Sequence, residues 1–203
     1  RKNPIDVLAT AVRRHDSHDA YVEVARGHVM RDLLESDEGV RRVWAPKGER
    51  PLAQQRRRYE WVYVYGFVRP SNGQVEWLLL PTVNVELFQL ALDFFADAAG
   101  ACANKRVVLI IDQAGWHFSK KLKIPEGLHL LPLPAYSPEL QPAEKLWPLL
   151  HECVANKDVT DMDALEDRLV KRCQELRAQP ELILGHTLFD WWAHAAQAER
   201  VAA

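Results

Sequence analysis

Apolar and polar positions divide this chain into short alternating or continuous apolar runs, set between segments with helical spacing. Tyr21–Ala25 (YVEVA) alternates like a short strand. Tyr59–Val68 (YEWVYVYGFV) is the strongest strand signal, dense in aromatic and β-branched residues. Pro70-Ser71-Asn72-Gly73 reads as a turn longer than two residues, and Gln74–Leu80 as the returning strand of a hairpin. Asn84 can cap a helix whose expected buried stripe is Leu87, Phe88, Ala91, Phe94, Phe95 and Ala98, ended by Gly100. Arg106–Ile111 (RVVLII) is continuously apolar after its first residue, as a strand covered on both faces requires. Leu128–Leu133 reads as a further short buried strand. A helix is expected from Pro142, because proline suits the first helical position. Pro148, four residues after Glu144, is expected to kink that helix against the Glu144 carbonyl. Thr160–Asp163 reads as the cap of a helix that buries Leu165, Leu169, Cys173 and Leu176, and residues 181–198 as another helical segment.

The resulting order is strand, hairpin, helix, strand, short helix, strand, helix, helix. It specifies an α/β fold: a mixed five-stranded sheet with helices on both faces, the ribonuclease H-like architecture. The division expected is an N-terminal remnant or linker over 1–20, a ribonuclease H-like domain over 21–180 and a helical tail over 181–203. The first residue, Arg1, and the lack of an apolar secretory core behind it read as a fragment or processed product.

Composition adds limits. The 203 residues are 48% hydrophobic and 27% charged, which excludes wholesale disorder. No run approaches the ~18 apolar residues of a membrane span. Three cysteines without close pairing argue against a disulfide framework or zinc knuckle and for a reducing, cytoplasmic setting. Charge is nearly balanced, 26 Lys and Arg against 28 Asp and Glu, so no basic coat marks the whole chain as a nucleic-acid binder. Basic residues cluster instead, at Arg41, Arg42, Lys47 and Arg56, Arg57 and Arg58, and again at Lys120, Lys121 and Lys123.

Two segments carry candidate chemistry. In LIIDQAGWH, Asp112 stands at the C-terminal end of a buried strand, the edge at which open α/β sheets bind ligands. In LPLPAYSPELQPAEKLW, 32 positions further on, Glu144 falls in the first turn of a helix. Carboxylates from separate elements can hold two Mg²⁺ ions, one activating the attacking oxygen and the other stabilising the leaving oxygen of a phosphodiester. Taken singly, Asp112 could be a turn residue and Glu144 an ordinary first-turn acid.

At these residues the chain resembles the catalytic core of DDE transposases, in the bacterial insertion-sequence branch related to the Tc/mariner elements. The resemblance rests on IIDQAGWHFSKKL and above all on YSPEL-x-P-x-E-x-x-W, and extends over most of residues 40–195 through RRVWAPKGERP, the hairpin and DALEDRL…FDWW. It implies DNA strand cleavage and strand transfer at insertion-sequence ends, two Mg²⁺ or Mn²⁺ ions, double-stranded DNA (ends and target) and a homodimer. It makes Asp112 the second catalytic carboxylate and Glu144 the third, both metal ligands. The family's first carboxylate ends the first strand, usually as Asp-Glu; here Arg26–Met30 follows YVEVA, and the candidates are Asp32 and Asp37, the latter followed by Glu38. Gln141 stands where the family often has Asn. DNA contacts are expected from Arg56, Arg57, Arg58, Lys120, Lys121, Lys123 and His117. The alternative to an active enzyme is a decayed remnant acting only in DNA binding or dimerisation.

Overall fold

The computed structural model describes the backbone of residues 19–29 and the whole of residues 62–134, 140–155, 157, 159 and 161–188. Its strands are β1 (Asp19–Val29), β2 (Tyr63–Arg69), β3 (Gln74–Leu80), β4 (Val107–Ile111) and β5 (Leu128–Pro132). Its helices are α1 (Val85–Ala99), α2 (Leu146–His151), α3 (Met162–Arg177) and α4 (Pro180–Thr187), and a 3₁₀ turn, Pro142–Lys145, runs straight into α2. The five strands form one sheet in the order β3-β2-β1-β4-β5. β1 pairs antiparallel with β2 and parallel with β4, and β4 parallel with β5, so the sheet is mixed.

Strand periodicity assigns the two faces. Tyr65 and Phe67 of β2 and Val107, Leu109 and Ile111 of β4 form one core with α1, where Phe67 stacks on Phe95 at 4.5 Å. Val64 and Val68 of β2 and Val75 of β3 form the other core with the 3₁₀ turn, α2, α3 and α4. All five residues of β4 are fully buried, as the continuous apolar run requires.

Several elements depart from expectation for identifiable reasons. β1 is longer than Tyr21–Ala25, and its pairing with β2 shifts between Val24 and His28, a bulge. α1 buries Phe88, Ala91, Leu92, Phe95, Ala96 and Ala99, while Phe94 is 37% exposed. The helix is apolar nearly all round, so periodicity admits more than one stripe. Its ends are as expected: the Asn84 side chain accepts from the Leu87 N–H at 2.8 Å, and Gly100 adopts φ 68°. β5 is only partly buried and ends on an exposed proline, which fits its outer place in the sheet. Pro148 makes no interior kink. The turn from Pro142 is 3₁₀, the α-helix starts only at Leu146, and Pro148 therefore sits in a first turn, where its missing N–H costs nothing.

The hairpin loop shows why glycine stands at position 73. Gly73 has φ 73°, and a Cβ there would collide with the Pro180 carbonyl and lie 3.0 Å from the Leu184 nitrogen. The hairpin thus docks backbone to backbone on α4. Asp161 caps α3 by accepting from Ala164 N–H at 2.8 Å, and the helix buries Leu165, Leu169, Cys173 and Leu176 as its spacing requires. α4 covers part of the expected 181–198 helix; residues 189–203 lie outside the described set, Trp191 and Trp192 among them. Among the described residues, no helix is long and apolar enough to cross a membrane.

Candidate active site

Asp112 follows the last residue of β4, at the carboxyl edge of the parallel part of the sheet. The chain turns at once. The Ala114 N–H donates to Asp112 Oδ1 at 3.0 Å, an Asx-type turn that holds the carboxylate at the sheet edge. The same oxygen lies 2.8 Å from His117 Nδ1, and the Asp112 carbonyl lies 3.3 Å from that nitrogen. Asp112 is 30% exposed and His117 fully buried. The imidazole packs on Phe88 of α1, ring centroids 4.4 Å apart, and meets the edge of Trp116. Gln113 Nε2 donates to the Leu133 carbonyl at 2.7 Å, tying this turn to the segment that leads toward Glu144.

Glu144 lies in the 3₁₀ turn, half-buried, with Oε1 out of contact with solvent. The turn packs against β1 and β2 as well as α2 and α4. Its anchor is Trp147, three residues on, which is 3% exposed and packs at 6.3 Å, tilted, against Trp77 of β3. Trp77 in turn lies over Gly66, where any Cβ would come within 2.8 Å of the indole. The Glu-x-x-Trp spacing therefore has a physical meaning: one turn after the carboxylate, an indole fastens its turn to the sheet.

Lys120, Lys121 and Lys123 are all exposed, in the loop between β4 and β5. Gln89 of α1 holds that loop twice: its Nε2 donates to the Lys123 carbonyl at 2.8 Å and its Oε1 accepts from the Lys123 N–H at 2.7 Å. His117 does not join the lysines. Its burial against Phe88 and Trp116 turns it toward Asp112 rather than toward solvent, which corrects the expectation that it touches DNA. Asp32, Asp37, Arg56, Arg57 and Arg58 lie outside the described residues.

Asp112 and Glu144 offer the hard oxygen donors that Mg²⁺ and Mn²⁺ prefer. Among the described residues, no group of three His, Cys, Asp or Glu is placed to hold a metal ion. Val22 of β1 is level with Ile110 of β4, so the position level with Asp112 is Val24, while Glu23 pairs with Phe67, a residue of the α1-facing core. A cavity of about 630 Å³ lies elsewhere, between α3 and the segment that follows α2, lined by residues that include Glu152, Cys153, Arg168 and Arg172. Its carboxylates, Glu152 and Glu175, are both engaged by Arg172, and neither Asp112 nor Glu144 lines it.

Fold and site together define a mixed α/β domain with a carboxylate at the edge of its parallel strands. Solved structures of Mos1 transposase share that fold. The strand transfer complex matches at TM-score 0.53 and 16% identity over 91% of this chain and 59% of that one. The pre-cleavage transpososome matches at 0.55 and 15% over 91% and 60%, and the paired-end complex with Mn at 0.52 and 15% over the same shares. This chain thus spans about 60% of the length of the Mos1 chains. A 132-residue stretch is 34% identical to the uncharacterised protein y4pE/y4sA of Sinorhizobium fredii (strain NBRC 101917 / NGR234), covering 64% of this chain and 96% of that protein. Residues 34–166 match the family of DDE superfamily endonucleases. The chain belongs to that family, and both Asp112 and Glu144 fall inside the matched region.

Proposed function

We propose that this chain is the catalytic domain of an insertion-sequence transposase, with a ribonuclease H-like fold, that cleaves DNA strands and transfers them in a metal-dependent reaction. The observation that carries the reading is Asp112, held by Ala114 and His117 at the carboxyl edge of β4 within the family-matched region. Asp112 and Glu144 are the proposed catalytic carboxylates and the ligands for two Mg²⁺ or Mn²⁺ ions. Such ions, when bound, activate a water or 3′-hydroxyl and stabilise the leaving oxygen of a phosphodiester. The protein's own task is to hold the two carboxylates rigidly, through the Asx turn at Asp112 and the Trp147–Trp77 anchor beyond Glu144.

The first carboxylate is proposed to come from Asp32 or Asp37. Lys120, Lys121 and Lys123, with Arg56, Arg57 and Arg58, are proposed to meet DNA phosphates. The partners proposed are transposon-end and target duplexes and a second copy of the chain, in the cytoplasm. The domain division proposed is 1–20, 21–180 and 181–203, although α4, which includes the last boundary, packs through Ile183 onto the main core.

The test is strand nicking of insertion-sequence end DNA with Mn²⁺ or Mg²⁺. Cleavage that disappears in Asp112→Asn and in Glu144→Gln, both still folded, supports the enzyme. A folded chain that binds the DNA and leaves it uncut supports the remnant. In an active chain, Asp32→Asn and Asp37→Asn, tested singly, identify the first carboxylate as the one whose loss abolishes cleavage.

A further inference from the structure

We infer that His117 is a positioning residue: its Nδ1–H fixes the orientation of the Asp112 carboxylate, and so the direction in which that carboxylate meets a divalent cation. The inference rests on the proposed metal role of Asp112. The distances point to the nitrogen that carries the ring proton. Nδ1 faces two acceptors, Asp112 Oδ1 at 2.8 Å and the Asp112 carbonyl at 3.3 Å, so Nδ1 carries the hydrogen. Nε2 is buried and has no hydrogen-bond partner among the described residues. Among the described residues, the polar contacts of the ring are therefore all on its Asp112 side.

Two donors converge on one oxygen. The Ala114 N–H and His117 Nδ1–H both reach Oδ1, which fixes the carboxylate plane and the direction of Oδ2. The imidazole cannot swing away, because Phe88 lies against its face at 4.4 Å and Trp116 meets it edge-on. Phe88 is itself fully buried in the α1 face of the core. Orientation of the carboxylate is thus relayed from the sheet–helix core through a locked ring. Outer partners of this kind hold metal ligands in register, and losing one costs about 10- to 100-fold in metal affinity.

Asn and Gln distinguish orientation from bulk. The amide nitrogen of Asn can take the place of imidazole Nδ1, whereas that of Gln corresponds to Nε2. Mn²⁺ binding to the full chain is followed by electron paramagnetic resonance, with far-UV circular dichroism confirming the fold of each variant. His117→Gln is expected to bind Mn²⁺ about 10- to 100-fold more weakly than wild type, and His117→Asn to recover most of that loss. Equal affinity in wild type and His117→Gln, where Asp112→Asn abolishes binding, overturns the positioning role and leaves the metal role of Asp112 standing. Binding unaffected by Asp112→Asn overturns both. The ring is tested without metal by ¹⁵N–¹H correlation spectroscopy of the wild-type chain: a hydrogen on Nδ1 supports the inference, and a hydrogen on Nε2 with Nδ1 bare overturns it.

Discussion

Gln89 gives the most direct handle on how the lysine loop is held. Its side chain makes two hydrogen bonds to the backbone of Lys123, at 2.8 and 2.7 Å, across 34 residues of sequence. Gln89→Ala removes both. Each neutral hydrogen bond is worth about 0.5–1.5 kcal/mol net, and these lie at a partly exposed position, so the low end applies and the pair contributes about 1 kcal/mol. Alanine returns a few tenths through better helix propensity in α1, which leaves the global stability nearly unchanged. The loss falls on the loop. One to two kcal/mol is a factor of about 5–30 in a local opening equilibrium, so the Lys123 amide should exchange with deuterium at least ~5-fold faster. The Lys105 amide, bonded to the Cys102 carbonyl at 3.1 Å, serves as an internal reference and should not change. If Lys120, Lys121 and Lys123 meet phosphates as proposed, DNA affinity should fall several-fold while its salt dependence keeps the same slope, because no charge is lost. An unchanged Lys123 exchange rate in a folded Gln89→Ala variant would mean that Gln89 does not hold the loop.

The remaining predictions concern the frame of the site. Gly73→Ala places a Cβ in left-handed backbone and into the Pro180 carbonyl; strain of about 1–2 kcal/mol is a minimum, and the melting temperature should drop by at least ~2–4 °C. Asp161→Ala removes the cap bond to Ala164 and should cost about 1 kcal/mol by denaturant titration, whereas Asp161→Asn should cost much less. Burial pushes the Cys173 thiol from 9.0 up to about 12. A pKa raised in the folded state means that the unfolded chain loses its proton first, so this contribution to stability is complete below pH 9 and is lost as pH rises toward 12. The loss is on the order of 4 kcal/mol over that window, and Cys173→Ala should flatten the decline in a urea series from pH 8.5 to 11. Exposed Cys102 should be alkylated by iodoacetamide at pH 8 while buried Cys173 stays unreacted until the chain unfolds.

Parts of this account were legible in the sequence because they depend on local chemistry. The Asn84 and Asp161 caps, the Gly100 terminus and the Leu165–Leu169–Cys173–Leu176 stripe each follow from residues within a few positions of one another. The stripe of α1 was legible only in part: Phe88, Ala91 and Phe95 are buried as its spacing has them, whereas Leu92, Ala96 and Ala99 are buried in place of Phe94 and Ala98. With leucine, phenylalanine and alanine on nearly every side, its orientation is decided by the sheet it packs on, through pairs such as Phe67 and Phe95. The Pro148 kink failed for a related reason: helix type near Glu144 changes from 3₁₀ to α at Leu146, and no propensity signals that change. At the site, Asp112 and Glu144 stood out through their motifs. The pairing of Asp112 with His117 had a signal, a five-residue spacing across the tight turn DQAGWH, but burial of the ring decides its role and comes from Phe88, 29 positions away.

Asp112 and Glu144 are proposed to serve a single metal-dependent site. Its most direct test is the rate of Mn²⁺-dependent DNA nicking by Asp112→Asn, Glu144→Gln and the double variant. Residues that act as one unit are grossly non-additive. In a single shared site, each single substitution should lower cleavage by orders of magnitude, and the double variant should be no slower than the worse single one. Single variants that still cleave at the wild-type rate, or losses that multiply in the double variant, would contradict it.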